Sequence, residues 1–346
     1  MPFVQNVVAY KSVSVIGLEK NTGKTETLNY VLKRLKTTKK QIAITSIGID
    51  GERVDNVTHT QKPEIVVSKG VIFITSEKHY FEKQLTAEIL DVSNHRTAMG
   101  RLVTARALSD GKVILSGPSD TKSVKRLIRS LEKWNVDTTI VDGALSRLSL
   151  ASPAVTDAMI LATGAALSAN IAQLVRKTRF VKQLIELESV DEALSEQLQE
   201  KKSGLWAIDK NNKIHDLDTQ SVFMIDQSDR DIFEFGTRLF VAGAVSDKLI
   251  KCMRAYKKPV ELIIHDFSKV FATQLNFNAF LQGENTMKSL FKNKLITVTI
   301  NPLAPNGLML NTQTLQHALE EALNIPVYDV MELQKNDKAY SIKNEN

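Results

Sequence analysis

The sequence predicts an α/β fold: a mostly parallel sheet with flanking helices, followed by a second α/β region. Two observations predict it. Short apolar, β-branched runs alternate with segments of helical periodicity over the first third of the chain, and the runs are apolar enough to be buried on both faces. The same alternation lapses into a polar stretch near 176–235 and returns after 236.

The elements are expected in this order. "SVSVIG" (12–17) is a strand. "KTETLNYVLKRLK" after it is a helix, with Leu28, Val31, Leu32 and Leu35 on one face. "QIAITSIGID" (41–50) is a second buried strand. "PEIVVSKGVIFITS" (63–76) reads as two strands about a Lys69-Gly70 hairpin turn. "HYFEKQLTAEIL" (79–90) reads as a helix, "KVILSGPSD" (112–120) as a strand, "TKSVKRLIRSLEKW" (121–134) as a helix, and "DTTIVDGAL" (137–145) as a strand ending at Asp142. "AMILATGAALSANIAQLV" (158–175) carries no charge but is rich in Ala, Ser, Thr, Asn and Gln, which suits a buried helix pair or packed segment better than a membrane span. "TRLFVAGAV", "VELIIHD", "LITVTINPL" and "PVYDVM" are later strands, and "SDKLIKCMRAY" and "TQTLQHALEEAL" later helices. The expected division is a nucleotide-binding domain at 1–175, a junction or insertion at 176–235, a second α/β domain at 236–332 and a flexible tail at 333–346.

At 346 residues, 43% hydrophobic and 24% charged, the composition is that of an ordinary globular protein. A net charge of +6 is slight for this length, and no long basic run concentrates it, which argues against a nucleic-acid binder. The densest cluster, Lys33, Arg34, Lys36, Lys39 and Lys40, falls at a helix C-terminus, where cations oppose the dipole. The single cysteine, Cys252, excludes an intrachain disulfide and reads as a buried helical residue. With no secretory pattern at the start, a cytoplasmic location and no membrane association are expected.

The chemistry concentrates at Lys20, Asn21, Thr22, Gly23, Lys24 and Thr25, "KNTGKT", between a strand and a helix. Backbone N–H groups there, with the positive helix end, suit phosphate oxygens. Gly23 allows close approach, Lys24 would reach the β- and γ-phosphates, and Thr25 would hold Mg²⁺. A P-loop NTPase-like sheet is therefore expected. The spacing is unusual, because Leu18 stands where the first loop glycine belongs and Gly17 comes one place early. The metal also needs a carboxylate from another strand end; Asp142 in "TIVDGAL" and Asp50 in "SIGIDGE" are the candidates. Lys24 and Asp142 are the expected catalytic pair. Ser116, Gly117, Ser119 and Arg147 are further candidates for the same edge, and 50–65 for a switch or substrate loop.

"VIGLEKNTGKTETLNYVL", "SIGIDGERVDNVTHTQKPEI", "LSGPSD" and "TIVDGALSRLSLASPAVTDAMILATGAALS" together resemble the P-loop subunit of the lysine 5,6-aminomutase reactivase, over Val13 to Ala169. The resemblance implies a role in lysine degradation: an ATPase supporting, with ATP and Mg²⁺, the release of damaged cobalamin from an adenosylcobalamin- and PLP-dependent aminomutase. The aminomutase subunits and a MutS-like second reactivase subunit would be its partners, with any cobalamin contact made through them. It places nucleotide binding on Gly23, Lys24 and Thr25, and assigns nothing to Asp50 or Asp142. Two other readings stay open. One is a small-molecule kinase or ligase, with Thr58, His59, Thr60 and Lys62 toward an acceptor; the other is a non-enzymatic module with a degenerate loop.

Overall fold

The computed structural model describes residues 2–48, 65–97, 99–144, 155–219, 230–292 and 294–336. The chain forms two compact units. Among the described residues, the first is built from those up to 179 together with those from 294 onward, and the second from those of 180–293. The second domain expected at 236–332 straddles this division, because its last strands are built into the first unit's sheet.

The first unit is α/β, with a large mixed sheet of mostly parallel strands. Its strands and helices are α1 (Val4–Val7), β1 (Ser12–Gly17), α2 (Lys24–Leu35), β2 (Ile42–Ser46), β3 (Ile65–Val67), β4 (Ile72–Ser76), α3 (Glu77–Phe81), β5 (Ala87–Thr97), β6 (Gly100–Ala107), β7 (Gly111–Val113), α4 (Thr121–Ser130), β8 (Thr138–Ala144), β9 (Ala158–Gly164) and α5 (Ile171–Ile185). The last of these runs on into the second unit. That unit contributes β10 (Glu188–Ser189), α6 (Glu192–Leu198), β11 (Leu205–Ile208), β12 (Ile214–Asp216), β13 (Arg238–Val241), α7 (Asp247–Ala255), β14 (Glu261–Ile264), α8 (Gln274–Leu281) and β15 (Thr286–Ser289). The chain then returns with β16 (Lys294–Asn301), α9 (Thr312–Leu323) and β17 (Val327–Asp329).

The nine-stranded order is β17-β16-β9-β1-β8-β2-β4-β6-β5. All pairings from β17 to β4 are parallel, and β6 and β5 close that flank antiparallel. β1 lies near the middle, between β8 and β9, and every residue of it is buried. Parallel strands covered on both faces need apolar residues on both faces. Val13, Val15, Leu28, Val31, Leu35, Ile44, Ile140 and Ile160 meet in one such layer. α2 is a first-layer helix for the same reason: Leu28, Val31, Leu32 and Leu35 all turn inward. The second unit has a six-stranded sheet, β10-β15-β14-β13-β11-β12, with β13, β14, β15 and β10 parallel and β11 and β12 antiparallel. Cys252 is buried in α7, as its sequence context suggests.

Four expectations need correcting. Lys69-Gly70 is a turn, yet β3 and β4 do not pair with each other: β3 pairs with β7, and β4 joins β2 and β6. The helix expected over 79–90 stops at Phe81; from Ala87 the chain is β5, whose hairpin with β6 outweighs local helix preference. Of the two forms expected for the uncharged 158–175 stretch, the packed segment holds and the helix pair does not: it is β9, a turn and the start of α5. The cluster at the C-terminal end of α2 is not uniformly solvated: Arg34 is buried with its guanidinium 3.4 Å above the Tyr30 ring, while Lys36 pairs with Asp110 and Lys40 with Asp137. No helix among the described residues is long and apolar enough to cross a membrane.

A Cβ on Gly117 would lie 1.8 Å from the Ser46 carbonyl oxygen at the end of β2. Neither backbone can yield without breaking the reciprocal bonds Gly117 N–H to Gly48 O and Gly48 N–H to Pro118 O. Gly117→Ala is expected to cost about 3 kcal/mol or more, read as a lower urea midpoint at unchanged m-value. A loss below about 0.5 kcal/mol would show this junction to be loose.

Candidate functional site

The joint between β1 and α2 is built by two backbone reversals. Leu18 N–H donates to Ala162 O at 2.9 Å, so the pairing of β1 with β9 runs one residue past Gly17. The loop proper is therefore Glu19 to Gly23. Asn21 (φ 63°) and Gly23 (φ 87°) are both left-handed, and between them Thr22 is buried with its hydroxyl donating to Glu19 O at 2.8 Å. A Cβ at Gly17 would sit 2.8 Å from that hydroxyl oxygen. The early glycine thus makes room for Thr22 inside the loop, and Leu18, buried at the strand end, is the residue the spacing adds.

α2 starts at Lys24 with Gly23 as its N-cap, so no cap side chain closes the first turn. Left-handed residues followed by a helix start turn successive amides toward one point, an arrangement that can hold an anion. Lys24 Nζ lies 2.9 Å from Asp142 Oδ1, with little of either side chain exposed. Asp142 sits within β8, not at its end, opposite Val15 of β1 and Ser46 of β2. The register of β1 against β8 thus brings Lys24 and Asp142 together as an ion pair. Lys20 and Asn21 are exposed on the loop, and Thr25 is half-buried in the first turn.

A residue not singled out in the sequence completes the loop. Asn301, the last residue of β16, donates from Nδ2 to Asn21 O at 3.0 Å and accepts from Leu303 N–H on Oδ1 at 3.2 Å. A Cβ on Gly23 would lie 2.9 Å from the Asn301 Cβ, so only glycine lets the two segments meet. Thr27 Oγ1 reinforces the contact, 3.0 Å from Gly23 O and 2.7 Å from Thr299 Oγ1. The available signal was the strand-ending asparagine of "TINPL", at an edge where ligands bind.

The other candidates separate. Ser116 is buried with Oγ 2.7 Å from His79 Nδ1, Gly117 packs on β2, and Ser119 is exposed. His79 was not singled out either; it comes from α3, beyond β4. Asp50, Arg147, Thr58, His59, Thr60, Lys62 and nearly all of the 50–65 stretch lie outside the described residues. Family models, curated proteins and solved structures yield no match to this chain.

Glu26 adds a third charge beside the loop. Half-burial in the first turn of α2 raises its pKa above the usual carboxylate value by desolvation. A raised folded-state pKa means the native state holds the proton more tightly, so this group's contribution falls as pH rises through the carboxylate range. Glu26→Gln is therefore expected to gain Tm relative to the parent at pH 7, with the gain shrinking toward pH 4. Thermal unfolding of both proteins at the two pH values checks this; a larger gain at pH 4 would reverse the assignment.

Proposed function

We propose that this chain binds ATP with Mg²⁺ at the Lys20–Thr25 loop, as a P-loop NTPase-like protein, and serves as a nucleotide-driven reactivase subunit. The observation that carries the nucleotide reading is the Lys24–Asp142 pair at the mouth of a loop turned by Asn21 and Gly23. A cation at the first position of a helix, backed by a buried carboxylate from the neighbouring strand, is the charge pattern that phosphoryl chemistry uses.

Each residue then has a part. The loop amides orient the phosphate oxygens, and the Lys24 ammonium offers a compact cation to the terminal phosphates. Thr25 and Asp142 carry hard oxygen donors that suit Mg²⁺, and would hold it. Bound there, the metal would neutralise developing charge on the phosphoryl group. Asp142 meanwhile keeps Lys24 aimed across the loop.

The reactivase role rests on the resemblance of "GLEKNTGKT" and "DGALSR" to the lysine 5,6-aminomutase reactivase. In that role, ATP turnover loosens the grip of an aminomutase on damaged cobalamin, together with a MutS-like subunit. The placement of the loop at a strand edge, where bound phosphate can bias adjoining segments, supports such coupling.

Lys24→Ala is expected to lower ATP affinity by more than about 100-fold, near 3 kcal/mol, with the circular dichroism spectrum kept. Unchanged affinity by calorimetry would sink the P-loop reading. Asp142→Asn should reduce Mg²⁺-dependent turnover more than nucleotide binding. For the role itself, basal ATPase should rise on adding the aminomutase; turnover of a small acceptor with no protein partner would favour a kinase instead.

A further inference from the structure

We propose that copies of this chain associate through charge, the basic stripe of α4 in one copy meeting the acidic stripe of α6 in another. The inference does not depend on what the loop between β1 and α2 binds.

α4 carries Lys122, Lys125, Arg126 and Arg129 and no acidic residue. Lys122, Arg126 and Arg129 are exposed, and steps of four and three residues put them on one face of the helix. At 1.5 Å per residue the stripe is about 10 Å long. It works against the helix that bears it. Lys122 stands in the first turn, where the dipole favours an anion. Lys122 with Arg126, and Lys125 with Arg129, are like charges one turn apart, a spacing that destabilises a helix. Half-burial lowers the pKa of the Lys125 ammonium, and the Arg129 charge lowers it further, against an opposing pull from Asp157. A face built at such a cost in local electrostatics calls for an anionic counterpart.

The chain carries that counterpart itself. Between 186 and 200 it holds Glu186, Glu188, Asp191, Glu192, Glu196 and Glu200, all exposed, and no Lys or Arg. Glu186 pairs with Lys182, and Asp191 caps α6 by accepting from Leu194 N–H. Glu192 and Glu196 lie one turn apart on the outer face of α6, while Leu194 and Leu198 turn inward. Their step of about 6 Å along the axis equals that from Lys122 to Arg126. Arg126, Arg129, Glu192 and Glu196 make no ion pair among the described residues. Two stripes of opposite sign and equal step complement each other, and one chain supplies both, so a second copy satisfies both at once. A nucleic acid would meet only the basic stripe and be repelled by the acidic one. Exposed ion pairs are individually weak and screened by salt, so the association is weak and salt-sensitive.

Sedimentation equilibrium of the full chain tests this. Wild type at about 50 mM salt should self-associate as its concentration rises, and at about 500 mM salt it should return to the monomer. Arg126→Glu/Arg129→Glu and Glu192→Arg/Glu196→Arg should each lose at least tenfold in association constant at low salt, with the circular dichroism spectrum kept. Mixed in equal amounts, the two variants should associate again, because each supplies the charge the other lacks; a fold damaged by substitution would not recover this way. Wild type that stays monomeric at low salt overturns the proposal. If it then binds polyglutamate, and the α4 variant does not, the basic stripe serves a different acidic partner. Self-association untouched by either pair of substitutions, or folded variants that do not recover on mixing, overturns it as well.

Discussion

A carboxylate inside the central parallel strands is the constraint around which the first unit is arranged. Asp142 is 4% exposed and lies in β8 between β1 and β2. A charge so placed costs several kcal/mol unless a counter-ion meets it with good geometry. Lys24 meets it at 2.9 Å, and can do so only because the loop reverses twice and delivers the helix start over the edge of β8. Loop conformation, helix start and strand order are thus one requirement. The pair is poor evidence for stability, since a well-packed apolar pair would serve the fold as well or better.

The loop's fit to the sheet is set by side chains that are absent as much as by those present. Gly17 leaves space for Thr22, and Gly23 leaves space for Asn301. In both cases a methyl group would enter the van der Waals shell of an atom already held by a hydrogen bond or a strand. This explains the displaced glycine. In a shorter loop the first glycine stands at the bend itself; here the strand pairing is extended through Leu18, and Gly17 serves the loop from within β1.

Much of the first unit was legible because its signals are local. The buried runs of β1, β2 and β8, the inward face of α2 and the Gly-Lys-Thr joint all follow from residues a few positions apart. That Lys24 and Asp142 belong toward one edge was read from the parallel strands; that they form an ion pair was not. What was not legible depends on partners far along the chain. β5 reads as a helix until β6 is there to pair with it. β3 reads as half a hairpin until β7 claims it. Asn301 follows β1 by more than half the chain, and no local period announces that β16 returns to lie beside β9.

That return changes how the two halves of the sequence divide the work. A reading by contiguous segments gives the loop to the first half and leaves the last strands to a separate domain. The sheet instead places β16 and β17 on the flank of β1 opposite β8, so the loop is gripped from both sides. On one side Asp142 sets the charge; on the other Asn301 and Thr299 set the backbone, through Asn21 and Thr27. The two grips differ in kind. The ionic one holds a side chain, whereas the hydrogen-bonded one fixes the backbone of the loop. Residues 180–293 follow β9 and α5 in sequence and precede β16, so the chain leaves the first unit through a helix and returns to it through a strand. β16 ends in Asn301, which holds the loop between β1 and α2 through Asn21.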